Sequence, residues 1–435
     1  MKKFLLNLGL LLLIAVVLAM WVKLPWQGAL VLLGLLVLWM GLTRSGRQAG
    51  SVTAVGASTL RQRLGSSSVI VFGIAGVVGV LIAMLAMGAG LQKTMQSGGS
   101  DDTAIVMRGG APTESQSVLV RADLDAIAQA PGVVRNADGK PLISGEVVVA
   151  ANVQRKDSGE DASVQIRGVD DTAWAVRPGI KIIEGRSFKT GMRELVVGQN
   201  AARQYAHLQP GQSIKLGADT WQVVGVFASG DGYDSELWGD RTTVSSVYRR
   251  GNSVSAALVK LTDDKAFDGF KAALSSDPKL NVRVETTKDY LAQQSEGLVK
   301  VIRSVGITVG VIMAIGAIFG ALNCMFAAVT SRSREIATLR AIGFRGLPVV
   351  VSVMLETMLL ALLGGLLGAA IVWLLFNGHS ASTLNGFTQV LFTFDVNRAL
   401  IWTGLKWALA IGFIGGLFPA VRAARLPVTT ALRES

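Results

Sequence analysis

The side chains best placed to do chemistry are the carboxylates of one short stretch, SGDGYDSELWGD, which holds Asp231, Asp234, Glu236 and Asp240. Paired carboxylates can move protons in acid–base work, and closely spaced acids can hold a divalent cation. The order D-x-x-D-x-E misses the spacing of a calcium loop, and a glycine-rich acidic tip is ordinarily solvated. Tyr233 and Trp238 stand among the acids with Leu237. With Asp234 and Glu236 they read as a loop offering apolar groups to a partner, against the plainer reading of core packing. His207 and His379 are far apart and lack ligand-spaced neighbours, so they build neither a nucleophile–base pair nor a metal site. Cys324 is the sole cysteine, which excludes an intrachain disulfide. No G-x-x-x-x-G-K-[ST] loop occurs, and the glycine-rich GGLLG lies in an apolar run without the lysine. The expectation is a chain that is no enzyme and holds no cofactor or metal.

A second stretch carries recognition chemistry. SRSREIATLRAIGFRG, from Ser331 to Gly346, sets Arg332, Arg334, Arg340 and Arg345 against Glu335. It separates the apolar runs Gly306–Val329 and Leu347–Phe376, each long enough to cross a bilayer, and a short arginine-rich loop between two spans belongs in the cytosol. Ile336, Leu339 and Ile342 recur at threes and predict one apolar face of a short helix that Gly343 ends. Such a helix can dock a soluble partner and transmit its movement; the plainer reading is a solvated elbow. Two polar residues lie inside the flanking runs. Glu356 is costly in an apolar helix and must face protein or water, as a packing carboxylate or a ligand contact. Asn323 reads as an interhelical hydrogen-bonding group.

The elements that must position these residues follow from hydropathy and charge. Half of the 435 residues are hydrophobic, and the mean hydropathy is +0.46. The net charge of +12 is unevenly spread: Gln92–Gly297 holds 24 Lys and Arg against 26 Asp and Glu, leaving 18 basic and 4 acidic residues elsewhere. The excess therefore flanks the apolar spans, which is the positive-inside pattern and not a nucleic-acid surface. Residues 1–43 read as a transmembrane hairpin (Phe4–Val22 and Trp26–Leu42), a cleaved signal being the alternative for its first half. A cytosolic elbow (44–68) leads to a first core helix (69–91), in which Gly73, Gly76 and Gly79 invite close packing. Residues 92–297 lie outside, 298–330 form a second core helix with a stalk, and 331–347 the cytosolic helix. A third core helix (348–376), an external loop (377–398), a fourth core helix (399–420) and a cytosolic tail (421–435) complete six spans with both termini inside.

The external segment has the patterning of a soluble mixed domain. Strands are predicted at Gly145–Asn152, Ser163–Gly168, Glu194–Gly198, Gln212–Leu216, Trp221–Ala228, Ser253–Leu261 and Asn281–Glu285, and helices at Val120–Ala130, Asn200–Leu208 and Lys265–Ser275. Helix–strand units on either side of a β-rich middle predict one subdomain inserted into another.

ALNCMFAAVTSRSREIATLRAIGFRG, with VMLETMLLALLGGLLGAAI after it, closely resembles the permease core of MacB/FtsX-type ABC transporters. LIAMLAMGAGLQ resembles the end of that family's first helix, and GGLFPAVRAARLPVTTALRES its C-terminus. GRSFKTGMRELVVGQNAARQYAHLQPGQSIKL and WQVVGVFASGDGYDSELWG look, more loosely, like its interrupted outer domain. Ser331 and Ala337 depart from the family, which usually has Glu and Gly there. The resemblance implies an α-helical integral membrane protein. It has a four-helix FtsX-like core, here with the extra N-terminal hairpin, and a mixed α+β extracytoplasmic domain between the first and second core helices. It implies a separate ABC ATPase subunit that binds ATP and Mg, meeting this chain at Arg332, Arg334, Glu335, Ile336, Leu339, Arg340, Ile342 and Gly343. It further implies a homodimer in the bacterial inner membrane, an adaptor protein and outer-membrane channel as partners, and export of a periplasmic or outer-leaflet substrate by mechanotransmission. The alternative within the same family is an FtsX-like subunit that activates a periplasmic cell-wall hydrolase.

Overall fold

The computed structural model describes residue 17 and residues 20–59, 64–385 and 388–425. Most of Phe4–Val22 and the tail beyond Arg425 lie outside the described residues. The chain divides into two compact units. A membrane unit comprises the described residues up to Met87, Val301–His379 and those from Asp395 onward; an extramembrane unit comprises Gly88–Lys300 and Ser380–Phe394.

Among the described residues, Ser67–Ser97, Thr287–Ser331, Gly346–Phe376 and Arg398–Arg425 are helices long and apolar enough to cross a membrane. They correspond to the four core helices. Trp26–Leu42 is a further apolar helix, which bends by 102° into the helix beginning at Arg44. At the bend the Thr43 hydroxyl accepts from the Gly46 amide at 2.9 Å, capping the second helix. Gly46 has to be glycine, because a Cβ there would collide with the backbone of Trp39. The elbow read as 44–68 is thus largely a helix, and its Ala49 is buried.

Of the three glycines expected to allow close packing, Gly79 faces Val372 and Gly368 of the third core helix, but the tightest approaches use glycines of the neighbouring helices. Gly73 and Gly76 meet nothing, whereas Gly364 and Gly368 of the third core helix press on the backbone of Val71 and Ala75 in the first. Gly404 of the fourth lies against Val78 and Ile82. The first core helix thus offers its larger side chains, and its neighbours supply the small residues that bring backbones together.

The extramembrane unit is built on ten strands: β1 (Thr103–Arg108), β2 (Ile143–Gln154), β3 (Asp161–Val169), β4 (Lys181–Gly185), β5 (Glu194–Gly198), β6 (Ser213–Leu216), β7 (Asp219–Ala228), β8 (Leu237–Asp240), β9 (Ala256–Lys260) and β10 (Val282–Thr286). Their spatial order is β10-β1-β9-β2-β3-β8-β5-β7-β4, with β6 on β7. The first four are mutually antiparallel and are connected through the helices Arg121–Gln129 and Ala266–Ser275, a ferredoxin-like arrangement. Everything between β2 and β9 is the β-rich insertion. The twelve-residue β2 joins the two: Ile143–Glu146 pair with β9 and Val147–Gln154 with β3. Alternating Val147, Val153, Val164 and Ile166 close one core with Phe270 and Val259.

The segment 377–398, read as a polar loop, is a folded hairpin. β11 (Ser380–Asn385) pairs with β12 (Thr388–Thr393), Phe392 is buried, and the Leu391 amide donates to the Ser235 hydroxyl at 3.2 Å. Ser, Thr and Asn make up most of β11, so its composition read as a loop and hid the hairpin.

Candidate functional site

The arginine-rich stretch forms the helix Ser333–Ala341. Its end is set by backbone chemistry. Gly343 takes φ +103°, its amide donates to the Arg340 carbonyl at 3.2 Å, and the Phe344 amide to the Leu339 carbonyl at 3.1 Å. This paired closure needs a residue free to adopt positive φ, which is why glycine stands there.

Ile336, Leu339 and Ile342 do not share an exposed face, which corrects the expectation that all three fill a groove on a partner. Each step of three residues falls about 60° short of a full turn, so two steps rotate the third side chain by about 120°. Ile336 is buried, Leu339 is half-buried, and Ile342, beyond the last helical residue, is 69% exposed. Ile336 and Leu339 line a small, partly open pocket with Met325, Val349 and Val353. Arg334, Glu335, Thr338 and Arg345 are exposed, as is Leu347, while Arg340 is half-buried.

Arg332 turns inward. Its Nη1 donates to Glu356 Oε2 at 2.9 Å, both side chains being nearly buried, and its Nε lies 3.7 Å from Glu335. The costly carboxylate of the third core helix is thereby matched by a cation at the start of the helix Ser333–Ala341. Arg332 fastens that helix within the chain. Asn323 is exposed on the second core helix, and no described residue bonds its side chain.

The acidic stretch is likewise not a partner loop. Tyr233, Asp234, Glu236 and Trp238 are buried, as are Asp231 and Asp240. Gly232–Ser235 make one turn of 3-10 helix, and Leu237–Asp240 enter the sheet as β8. Strand register explains the burial. Arg167 on β3 stands opposite Val148 on β2 and Trp238 on β8, so Glu146 and Glu236, two residues along, lie on the same face. The Arg167 guanidinium donates to Glu114 at 2.6 Å, to Glu146 at 2.8 Å and to Glu236 at 2.8 and 2.9 Å. Arg177 closes a bidentate pair on Glu146 at 2.6 and 2.7 Å and lies over the rings of Tyr233 and Trp238. Burial pushes the Glu146 carboxyl up, but Arg177 and Arg167 beside it outweigh that and hold it below its ordinary range.

Asp231 lacks such a cation. Its Oδ1 accepts from the Ser229 hydroxyl and the Tyr233 amide, while no described residue donates to Oδ2. Burial pushes its carboxyl up to about 6, with Asp234 and Glu236 adding repulsion. Burial likewise pushes the Tyr233 phenol up to about 12. Sequence reading missed Glu114, Glu146, Arg167 and Arg177. The available signal was a charged residue inside each of two apolar strands, SGEVVVA and VQIRGV.

A long-helix membrane unit, an arginine-rich helix between two spans and a mixed outer unit inserted after the first core helix define an ABC-transporter permease. Residues 67–276 match the MacB-like periplasmic core domain and residues 307–428 the FtsX-like permease C-terminal region. The chain belongs to the MacB/FtsX-type permease family. It is 29% identical over 397 residues to the macrolide export ATP-binding/permease protein MacB of Escherichia coli, covering 84% of this chain and 57% of that one. With the protein of that name from Bordetella avium it shares 26% over 395 residues, with the same coverage. The chain thus spans just over half the length of these relatives. Among solved structures it is similar to the periplasmic region of MacB from Actinobacillus actinomycetemcomitans, at 17% identity, 46% of this chain, 94% of that chain and a TM-score of 0.35.

Proposed function

We propose that this chain is the membrane subunit through which a separate ATPase drives movement of the extramembrane unit, in a bacterial inner membrane, to export a substrate taken up on the outer side. The observation that best supports this is the seating of the coupling helix. Arg332–Glu356 and Ile336 fasten it to the membrane unit, while Arg334, Glu335, Thr338 and Ile342 stay exposed. A load applied to that outer face passes into packed helices because the joint is buried and ionic. The second core helix is continuous over its 45 residues from Thr287 to Ser331, about 68 Å at 1.5 Å per residue, so it can carry displacement along its length.

ATP and Mg would be bound by the partner subunit. A second copy of this chain fits the exposed apolar face formed by Ile312, Ile315 and Phe319, where Asn323 awaits a hydrogen-bonding group. The relatives carry names that speak of macrolide export, and the direction of transport is the part proposed for this chain. An adaptor and an outer-membrane channel would complete the path.

The test is Ile342→Asp combined with Arg334→Glu, two exposed changes. Leu339→Asp is a poorer choice, because Leu339 lines the pocket beside Glu356. The double variant should insert and unfold like the parent yet fail to co-purify with its ATPase or to stimulate hydrolysis. Unchanged co-purification and stimulation would refute the docking face. Recovery of a cell-wall hydrolase on the outer unit, in place of an adaptor or channel, would replace export with signalling.

A further inference from the structure

The extramembrane unit carries a partly open pocket of about 510 Å³ that the coupling scheme does not use. That volume lies in the range that accepts a drug-sized molecule. Met95, Val149, Leu291 and Val390 give it apolar walls, and Glu114, Asp231 and Glu236 put carboxylates on it. Arg167 is the one cation among the described lining residues, and its donors are already taken by Glu114, Glu146 and Glu236.

The balance of charge at this wall is negative. Glu114, Glu146, Asp231, Asp234 and Glu236 stand against Arg167, Arg177 and Arg250, the last donating to the Ser115 and Val148 carbonyls. Glu236 is saturated by Arg167, Gln165 and the Trp238 indole. Asp231 is not: it is only 7% exposed and keeps Oδ2 without a donor among the described residues. A buried carboxylate left this way favours a positive charge brought in by something else. A small anion would be repelled, and a neutral apolar molecule would leave Oδ2 unmatched.

We propose that this pocket binds an amphiphilic organic cation, its apolar body against Met95, Val149, Leu291 and Val390 and its positive group toward Asp231. The site stands within the extramembrane unit and does not depend on the ATPase assignment, so either reading can fail without the other.

The full chain in lipid nanodiscs would be titrated with tetraphenylphosphonium and, separately, with tetraphenylborate, an ion of matching shape and opposite sign, subtracting the signal from empty discs. Saturable one-site binding of the cation, at least tenfold tighter than the anion, is expected. Asp231→Asn should weaken it about tenfold. Ala150→Phe, which fills the pocket from an exposed lining position, should abolish it. A cooperative unfolding transition for both variants, at or above the wild-type midpoint for Asp231→Asn, would show that they fold. Cation binding no greater than to empty discs, equal binding of the anion, or cation binding indifferent to Asp231→Asn would each overturn the proposal.

Discussion

Asp231→Asn should stabilise the extramembrane unit at neutral and alkaline pH. The carboxyl ionises at about 6 in the folded chain instead of 3.8, because burial opposes its charge and Asp234 and Glu236 repel it. Between those values the folded state holds a proton that the unfolded chain has released, so this group makes stability fall as pH rises, and above about pH 6 the whole penalty is present. A rise of that size in the ionisation midpoint corresponds to about 3 kcal/mol. Asparagine removes the charge while its carbonyl oxygen still accepts from Ser229 and Tyr233. The assay is denaturant unfolding of the full chain followed by tryptophan emission. Trp238 and Trp174 lie 5.5 Å apart in the cluster beside Tyr233 and report on this unit. The variant should gain up to about 3 kcal/mol near pH 8 and less than about 1 kcal/mol near pH 4. An equal gain at both pH values, or a loss near pH 8, would refute the reasoning. A carboxylate kept at such a cost, where an amide would be steadier, is the pattern of a group retained for function.

Arg332→Met should strand the buried Glu356 and destabilise the membrane unit by about 3–5 kcal/mol, while Arg332→Met with Glu356→Leu should recover most of that in a double-mutant cycle of thermal unfolding. Arg167→Met should cost the extramembrane unit more than about 3 kcal/mol, because Glu114, Glu146 and Glu236 lose their shared cation; loss of the Trp238 near-ultraviolet signal at lower denaturant checks it.

The sequence made visible whatever repeats along it. Apolar runs located the core helices, a short β-branched apolar run placed β5 at Glu194–Gly198, and two helix–strand units disclosed the insertion of one subdomain into another. It concealed whatever depends on partners distant in the chain. The four residues of β8, set among acids, looked like a solvated tip because Arg167, about seventy residues earlier, was not seen as their neighbour. Glu356 was legible as a costly carboxylate, but its cation lay in a different element, 24 residues before it. A spacing of three implied a shared face for Ile336, Leu339 and Ile342, yet over two steps the helical twist divides them between core and solvent.

The long strand β2 has a consequence for how the outer unit can change. Its first four residues pair in the ferredoxin-like half and its last eight in the insertion, with no hinge between them. A slip of one residue in either half would turn the side chains of both cores inside out together. The insertion therefore cannot be excised or exchanged as a cassette, as a domain on a flexible tether could be. Variation between relatives should accumulate at the end of the strand order farthest from β2, around β4, where a change of length leaves the shared register untouched.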